Sequence, residues 1–319
     1  MAVQVTKMIF HGILNALFYI ALPLILFEVI EIYGLMTFTQ EFKITIIIFG
    51  IIGTIFAMLR HAFPKDTSAN RLMAFGSTIY SGLFMFYFFG GFTQGVQLGM
   101  YSINIPPLEV ELGLQTIAWM LLGSSGIRAL QYLIEAIELR KGKEYRAKVK
   151  ISKLFKVLGT IMSLVILGYL GSIIYSGMNL GFSFQPTFTP DYNDGGSPLD
   201  FSDDSLSINI TFDLDNQGFY AIYNAEVGAE LTVQDSTNTS ALPLGLRVGG
   251  GSKQFPTFHA FTNNLNNTVT IIMDNTLIYE LATTDATFQL KFSFNTIYAT
   301  ILINLNITIP DIPWTHFYP

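Results

Sequence analysis

Residues 157–177 read VLGTIMSLVILGYLGSIIYSG, and residues 206–214 read LSINITFDL. The first run is made of apolar and small residues and is as long as the roughly 20 residues that carry a helix across a bilayer. In the second, Leu206, Ile208, Ile210, Phe212 and Leu214 alternate with polar residues, the period-two pattern of a strand with one buried face. The chain changes its surroundings between them, and its charge changes too. Residues 1–180 hold 14 Lys/Arg and 9 Asp/Glu, whereas residues 181–319 hold 3 and 14. Only 13% of residues are charged, about half the roughly 25% usual in a soluble domain. The expectation is a five-helix transmembrane domain over residues 1–180, a linker over 181–199 marked by prolines and Gly195-Gly196, and an all-β antiparallel sandwich over 200–319.

Toward the N-terminus, four more stretches of near-spanning length precede Val157–Gly177: Met8–Tyr33, Ile44–Leu59, Leu72–Gly91 and Leu108–Ile127. Inside lipid every backbone group must bond within its own segment, so even the β-branched run from Ile44 to Ile55 is expected to be helical. Basic residues then set the orientation. Lys7 precedes the first stretch, Arg60, Lys65 and Arg71 lie between the second and third, and eight Lys/Arg from Arg140 to Lys156 lie between the fourth and fifth. Of basic residues the alternate connections hold only Lys43, and Glu109 with Glu111 stand at the edge of the second of them. This alternation predicts a multi-pass cell-membrane protein with a cytoplasmic N-terminus and an external C-terminal domain. The first stretch exceeds the roughly 7–15 residues of a signal-peptide core and no small-x-small cleavage site follows it, so it is expected to be a span.

Within the spans, Pro23 should kink the first helix. Small residues recur four apart at Gly50 and Thr54, at Gly53 and Ala57, and at Gly168, Ser172 and Ser176. Such faces let helices approach closely in lipid, within one bundle or between subunits. Arg128, Gln131, Glu135 and Glu138 share one helical face, read as a solvated cytoplasmic continuation of the fourth helix, with a polar path through the membrane as the competing reading. His11 and His61 are too few for a metal site.

In the external half, further alternating runs occupy residues 227–233, 288–294 and 297–309, separated by turn signals at Asp215–Gly218, Asp235–Ser240, Gly249–Gly251 and Asn263–Asn267. About seven strands are expected. Asn209, Asn238, Asn266 and Asn306 begin Asn-x-Ser/Thr sequons, candidate glycosylation sites if this half is external. Asp191, Asn193 and Asp194 supply closely spaced hard oxygens that suit calcium, with a solvated acidic linker as the alternative.

The stretch Ser207–Tyr223 (SINITFDLDNQGFYAIY) followed by Ala225–Val233 (AEVGAELTV) resembles the group 2 late-embryogenesis-abundant, or water-stress, domain over residues 200–310. The resemblance implies a seven-stranded sandwich without catalytic residues, of a kind often tethered to a membrane.

The chemistry excluded is as informative. With no cysteine there is no disulfide, thiolate catalysis or zinc ribbon, and a cysteine-free exported domain leans toward a prokaryotic, archaeal-type surface. A net charge of −6 gives no footprint for nucleic acid. No nucleophile elbow, zincin motif or phosphate-cradling loop occurs, so neither an enzyme nor a cofactor is expected. The expected function is a non-enzymatic anchor whose external sandwich binds or organises partners, with self-association through the helices or the sandwich, and the bilayer itself as first partner. A channel or transporter subunit with an external cap is the alternative; Ser77, Ser81, Ser124, Ser125 and Thr54 are the polar residues available to it.

Overall fold

The computed structural model describes residues 4–34, 37–93, 97–141, 151–184, 189–196 and 203–317. Two compact units emerge: Met1–Tyr101 with Gly113–Leu170, and Ser102–Leu112 with Gly171–Pro319.

The helical unit begins with α1 (Val5–Ala16), a π turn (Leu17–Ala21) and α2 (Leu22–Ile32), which run on as one helix of 28 residues. Pro23 lacks the N–H that would bond the Tyr19 carbonyl, and the chain answers with the π turn just ahead of it. Gly50 of α3 (Gln40–Ala62) packs there: a Cβ at Gly50 would lie 2.4 Å from Ile20 Cγ1 and 2.8 Å from the Tyr19 carbonyl oxygen. Thr54 turns its hydroxyl back onto the Gly50 carbonyl at 2.8 Å. The α4 helix (Ser68–Phe88) is capped by Thr67, which accepts from the Asn70 N–H. Asn70, buried, donates to the carbonyls of Arg60 and Phe63 at 2.6 and 3.1 Å, satisfying the frayed end of α3. Gly82 lets α4 close on α5 (Gln115–Arg140), since a Cβ there would lie 2.6 Å from Ser125 Cβ. The last helix is α6 (Ile151–Met178).

Among the described residues four helices are long and apolar enough to cross a membrane: Val5–Ile32, Gln40–Ala62, Gln115–Arg140 and Ile151–Met178. The α4 helix is long enough but falls short in apolarity because Asn70, Arg71 and several hydroxyl residues interrupt it. The qualifying helices leave large apolar side chains exposed, such as Ile13 and Leu167, each 67% exposed. That is the reverse of a helix folded against a core in water.

The expected span Leu108–Ile127 is corrected at its start. Residues 100–113 form two strands, β1 (Met100–Ile105) and β2 (Leu108–Gly113), and helix begins at Gln115. The pattern Leu108-Glu-Val-Glu111 alternates, and the apolar run was counted through a strand.

The β unit is one antiparallel sheet of ten strands, in the order β1-β2-β10-β9-β6-β7-β8-β5-β3, with β4 also on β5. The further strands are β3 (Leu180–Phe184), β4 (Thr189–Asn193), β5 (Ser205–Asn216), β6 (Ile222–Ser236), β7 (Arg247–Gln254), β8 (Thr262–Met273), β9 (Ala286–Tyr298) and β10 (Ile301–Trp314), with a short helix α7 (Ile278–Thr283) before β9. The sheet folds over itself. Phe182 and Phe212, from β3 and β5, meet Phe292 of β9 at 5.3 and 5.9 Å between ring centres, although these strands are not neighbours in the sheet. All five alternating residues of β5, Leu206 to Leu214, are sealed in that core.

Three sequence expectations change here. The segment 181–199 is no simple linker, because β3 and β4 both pair with β5 and Phe182 stacks on Phe212 at 5.2 Å. Gly249–Gly251 is not a turn but the middle of β7, where a Cβ at Gly251 would lie 2.0 Å from the Thr270 carbonyl oxygen. The single run Ile297–Ile309 is broken at Ala299-Thr300, both at positive φ, which form the two-residue turn between β9 and β10.

Candidate functional site

A polar cavity of about 270 Å³ lies within the helical unit, lined by Asn15, Tyr19, Ala57, Arg60, His61, Ser77, Thr78, Ser81, Ser125, Arg128 and Tyr132. Helical spacing delivers these side chains. Ser77 and Ser81 are four apart on α4; Ser125, Arg128 and Tyr132 are three and four apart on α5; Asn15 and Tyr19 are four apart across the start of the π turn. The Arg60 guanidinium lies over the Tyr132 ring, 5.2 Å from its centre, and donates to its hydroxyl oxygen at 3.4 Å. Arg128 donates to Ser163 Oγ of α6 at 2.6 Å. His61 stacks on His11 with ring centres 3.5 Å apart. Among the described residues no carboxylate lines the cavity.

The polar face of α5 continues beyond it. Arg71 of α4 lies 3.2 Å from Glu135 Oε2, both atoms buried, a charge contact without the alignment of a hydrogen bond. Gln131 donates to Glu135 Oε1 at 2.8 Å, and Ser152 of α6 donates to Glu138 Oε2 at 2.9 Å. Arg128, Glu135 and Glu138 therefore tie α5 to α4 and α6, and Gln131 braces Glu135 on α5 itself. At the other end of the helices, Lys43 bridges Glu28 and Glu31 at 3.2 and 2.6 Å.

The β unit carries a groove of about 410 Å³ on β6, β7, β9 and β10, floored by Gly228, Gly250 and Gly251 and edged by Glu230, Arg247, Ser252, Lys291, Ser293 and Asn306. Glycines make this face shallow and leave backbone polar groups near its surface. Arg247 pairs with Glu230 at 3.4 Å.

Asn216 holds the turn at the heart of the family-like motif. It is fully buried, and its amide donates to the carbonyls of Tyr220, Phe258 and His259 at 2.9, 3.3 and 3.0 Å. Tyr298 donates to Asn216 Oδ1 at 3.2 Å, and burial pushes its hydroxyl above the ordinary tyrosine range.

The structure separates most residues singled out from the sequence. Gly50 and Thr54 sit at the α3 contact described above. Gly168 has nothing within 4 Å of where a side chain would begin. Ser172 hydrogen-bonds Tyr220, and Ser176, fully buried, accepts from the Phe219 N–H at 2.9 Å, so both meet the β-unit turn rather than a helix. Asp191 and Asn193 lie exposed on β4; Asn193 and Asp194 accept from the N–H groups of Gly195 and Gly196 in their own turn. Among the described residues no three His, Cys, Asp or Glu side chains gather as a metal site. Asn209, Asn238 and Asn266 are exposed, whereas Asn306 is half-buried at the groove. Ser77, Ser81, Ser125, Arg128 and His61 were visible in the sequence singly. Their convergence with Arg60, Asn15, Tyr19 and Tyr132 was not, although Arg60 at the α3 end and Arg128 one helix apart are both recognisable as basic residues at the rim of apolar runs.

No protein-family model matches this chain, and a search of curated proteins finds no significant match.

Proposed function

We propose that this chain is a non-enzymatic integral membrane protein whose helices anchor an external β-domain, and that this domain binds or organises partners at the cell surface. The carrying observation is one sheet built from two distant chain segments. Residues 102–112 hydrogen-bond beside β10, with Thr308 N–H donating to the Pro107 carbonyl and Asn304 to Glu111 at 3.0 Å each. Between that hairpin and the remaining strands lie α5 and α6. If the helices lie in a membrane, strand pairing demands an even number of crossings between the hairpin and the sheet, which α5 and α6 supply as a pair. The basic-loop rule independently assigns both segments to the outside, so two unrelated observations support one topology.

The β-domain supplies binding surface rather than chemistry. Its groove is polar and glycine-floored, with Lys291 and Ser252 at its edge, and it suits a hydrophilic partner. The likeness to the water-stress sandwich, which lacks catalytic residues, supports the same view. The channel alternative draws on the polar cavity between the helices.

The test combines two measurements on the full chain. A photo-crosslinking residue at Ser252 in living cells should yield a discrete adduct, with a surface partner or a second copy, that Lys291→Glu abolishes. Reconstituted wild type should pass no current in planar bilayers. No adduct, together with an ionic current lost in Arg128→Ala, would replace the anchor with the channel.

A further inference from the structure

We propose that the cavity between the helices is a binding site for a phosphate-type anion, either inorganic phosphate or a phospholipid headgroup. This goes beyond the anchoring function and does not depend on it. Arg60 and Arg128 reach the cavity from α3 and α5, and among the described residues neither has a carboxylate within ion-pair distance. Each guanidinium offers five N–H donors, and each has one protein acceptor here, the Tyr132 hydroxyl and Ser163 Oγ respectively. Two positive charges reaching one cavity without a paired carboxylate repel each other, and an anion between them offsets that repulsion.

The hydroxyls point to the same ligand. A serine in a helix ordinarily turns its hydroxyl onto the carbonyl four residues back, as Thr54 and Ser163 do here. Among the described residues Ser77, Ser81 and Ser125 make no such bond and line the cavity instead. Two guanidiniums and the hydroxyls of Ser77, Ser81 and Ser125 bring several donors to a lining without a carboxylate among the described residues, which suits a tetrahedral oxyanion. A volume of about 270 Å³ sits below the usual range for drug-sized ligands, and it suits one headgroup or a free anion.

The full-length protein, delipidated in detergent, should be stabilised by inorganic phosphate but not by equal ionic strength of sodium chloride, read as a melting shift saturating with phosphate. Arg60→Gln and Arg128→Gln should each weaken that binding about tenfold, the effect of losing one charge-assisted contact. Arg140→Gln, at the far end of α5 and outside the cavity, should leave it unchanged. A second arm, native mass spectrometry of protein taken from vesicles of phosphatidylcholine with phosphatidic acid, distinguishes the sources. Selective retention of phosphatidic acid lost in Arg128→Gln identifies a lipid headgroup, and phosphate stabilisation without lipid retention identifies the free anion. If the arginine variants fail to fold, the wild-type arms still decide. Wild type that neither responds to phosphate nor retains phosphatidic acid overturns the proposal, as do folded arginine variants that bind like wild type.

Discussion

Phe292 in the β unit is sealed among Phe182, Phe184 and Phe212, while Leu167 in the helical unit stands 67% exposed. Both are large apolar residues in regular structure, yet only one is hidden by its own chain. The β unit carries its own solvent-excluding core, with both sheet layers contributing alternate residues. The helical unit gathers only a small aromatic cluster around Phe27, Ile46 and Phe84, and its other buried residues, such as Phe86, Ile117 and Ile166, stand apart from it. The difference teaches that the two halves handle apolar surface in opposite ways. One buries apolar area inside itself; the other offers it outward to lipid or to another protein.

That contrast can be broken by like truncations. Phe292→Ala should cost the β unit about 3–5 kcal/mol, the usual loss for a buried phenylalanine, read by urea unfolding of the full chain in detergent. Leu167→Ala should change stability by less than about 0.5 kcal/mol. Leu167→Arg should instead impair membrane insertion, since a central charge costs about 2.5–3.5 kcal/mol there. Equal effects of the two alanine variants would erase the contrast.

Next in size is the interhelical polar contact. Glu135→Leu leaves the half-buried Arg71 without its partner and should destabilise the helical unit by about 1–2 kcal/mol, read as a lowered melting temperature in detergent. The double change Arg71→Leu with Glu135→Leu should recover most of that loss, because an apolar pair replaces an ion pair.

A gain is expected at the β9–β10 turn. Ala299 and Thr300 both sit at positive φ, at 51° and 64°, where asparagine and glycine are at ease. Thr300→Gly, at the exposed position of the pair, should raise stability by about 0.5–1 kcal/mol in the same unfolding assay.

The smallest effect concerns pH. The His316 N–H and then its ring hold the Asp285 carboxyl below the usual carboxylate range. A depressed folded-state pKa adds stability above the unfolded carboxylate pKa, and that addition is lost as pH falls through the folded value. The melting temperature of wild type should therefore exceed that of Asp285→Asn at neutral pH and converge with it in acid.

The long periods were legible in the sequence, and the local exceptions were not. Residues 206–214 and 288–294 read as strands because each alternates without a break, and each is buried as read. The strand β6 was harder: Ile222 and Ala225 are both buried although their parity differs, because Asn224 at φ 52° inserts a bulge, and one asparagine in an Asn-rich half is a weak mark of it. The turn at Ala299-Thr300 carries no turn chemistry and is imposed by the pairing of β9 with β10. The β1–β2 hairpin was hidden in an apolar count, since Leu108 and Val110 serve a strand as well as they would a span. The cavity was the least visible. Its residues come from four helices, and only packing decides that Arg60 and Arg128 face one space.

The proposed topology puts the hairpin and the C-terminal strands on the outer side of a membrane and Lys141, at the end of α5, on the other. The chain has no cysteine, so single cysteines report without background. Asn104→Cys and Ser240→Cys, both at exposed positions, should react with an impermeant maleimide on intact cells, and Lys141→Cys should react only after permeabilisation. Reaction of Lys141→Cys on intact cells, or opposite behaviour of Asn104→Cys and Ser240→Cys, would contradict the account.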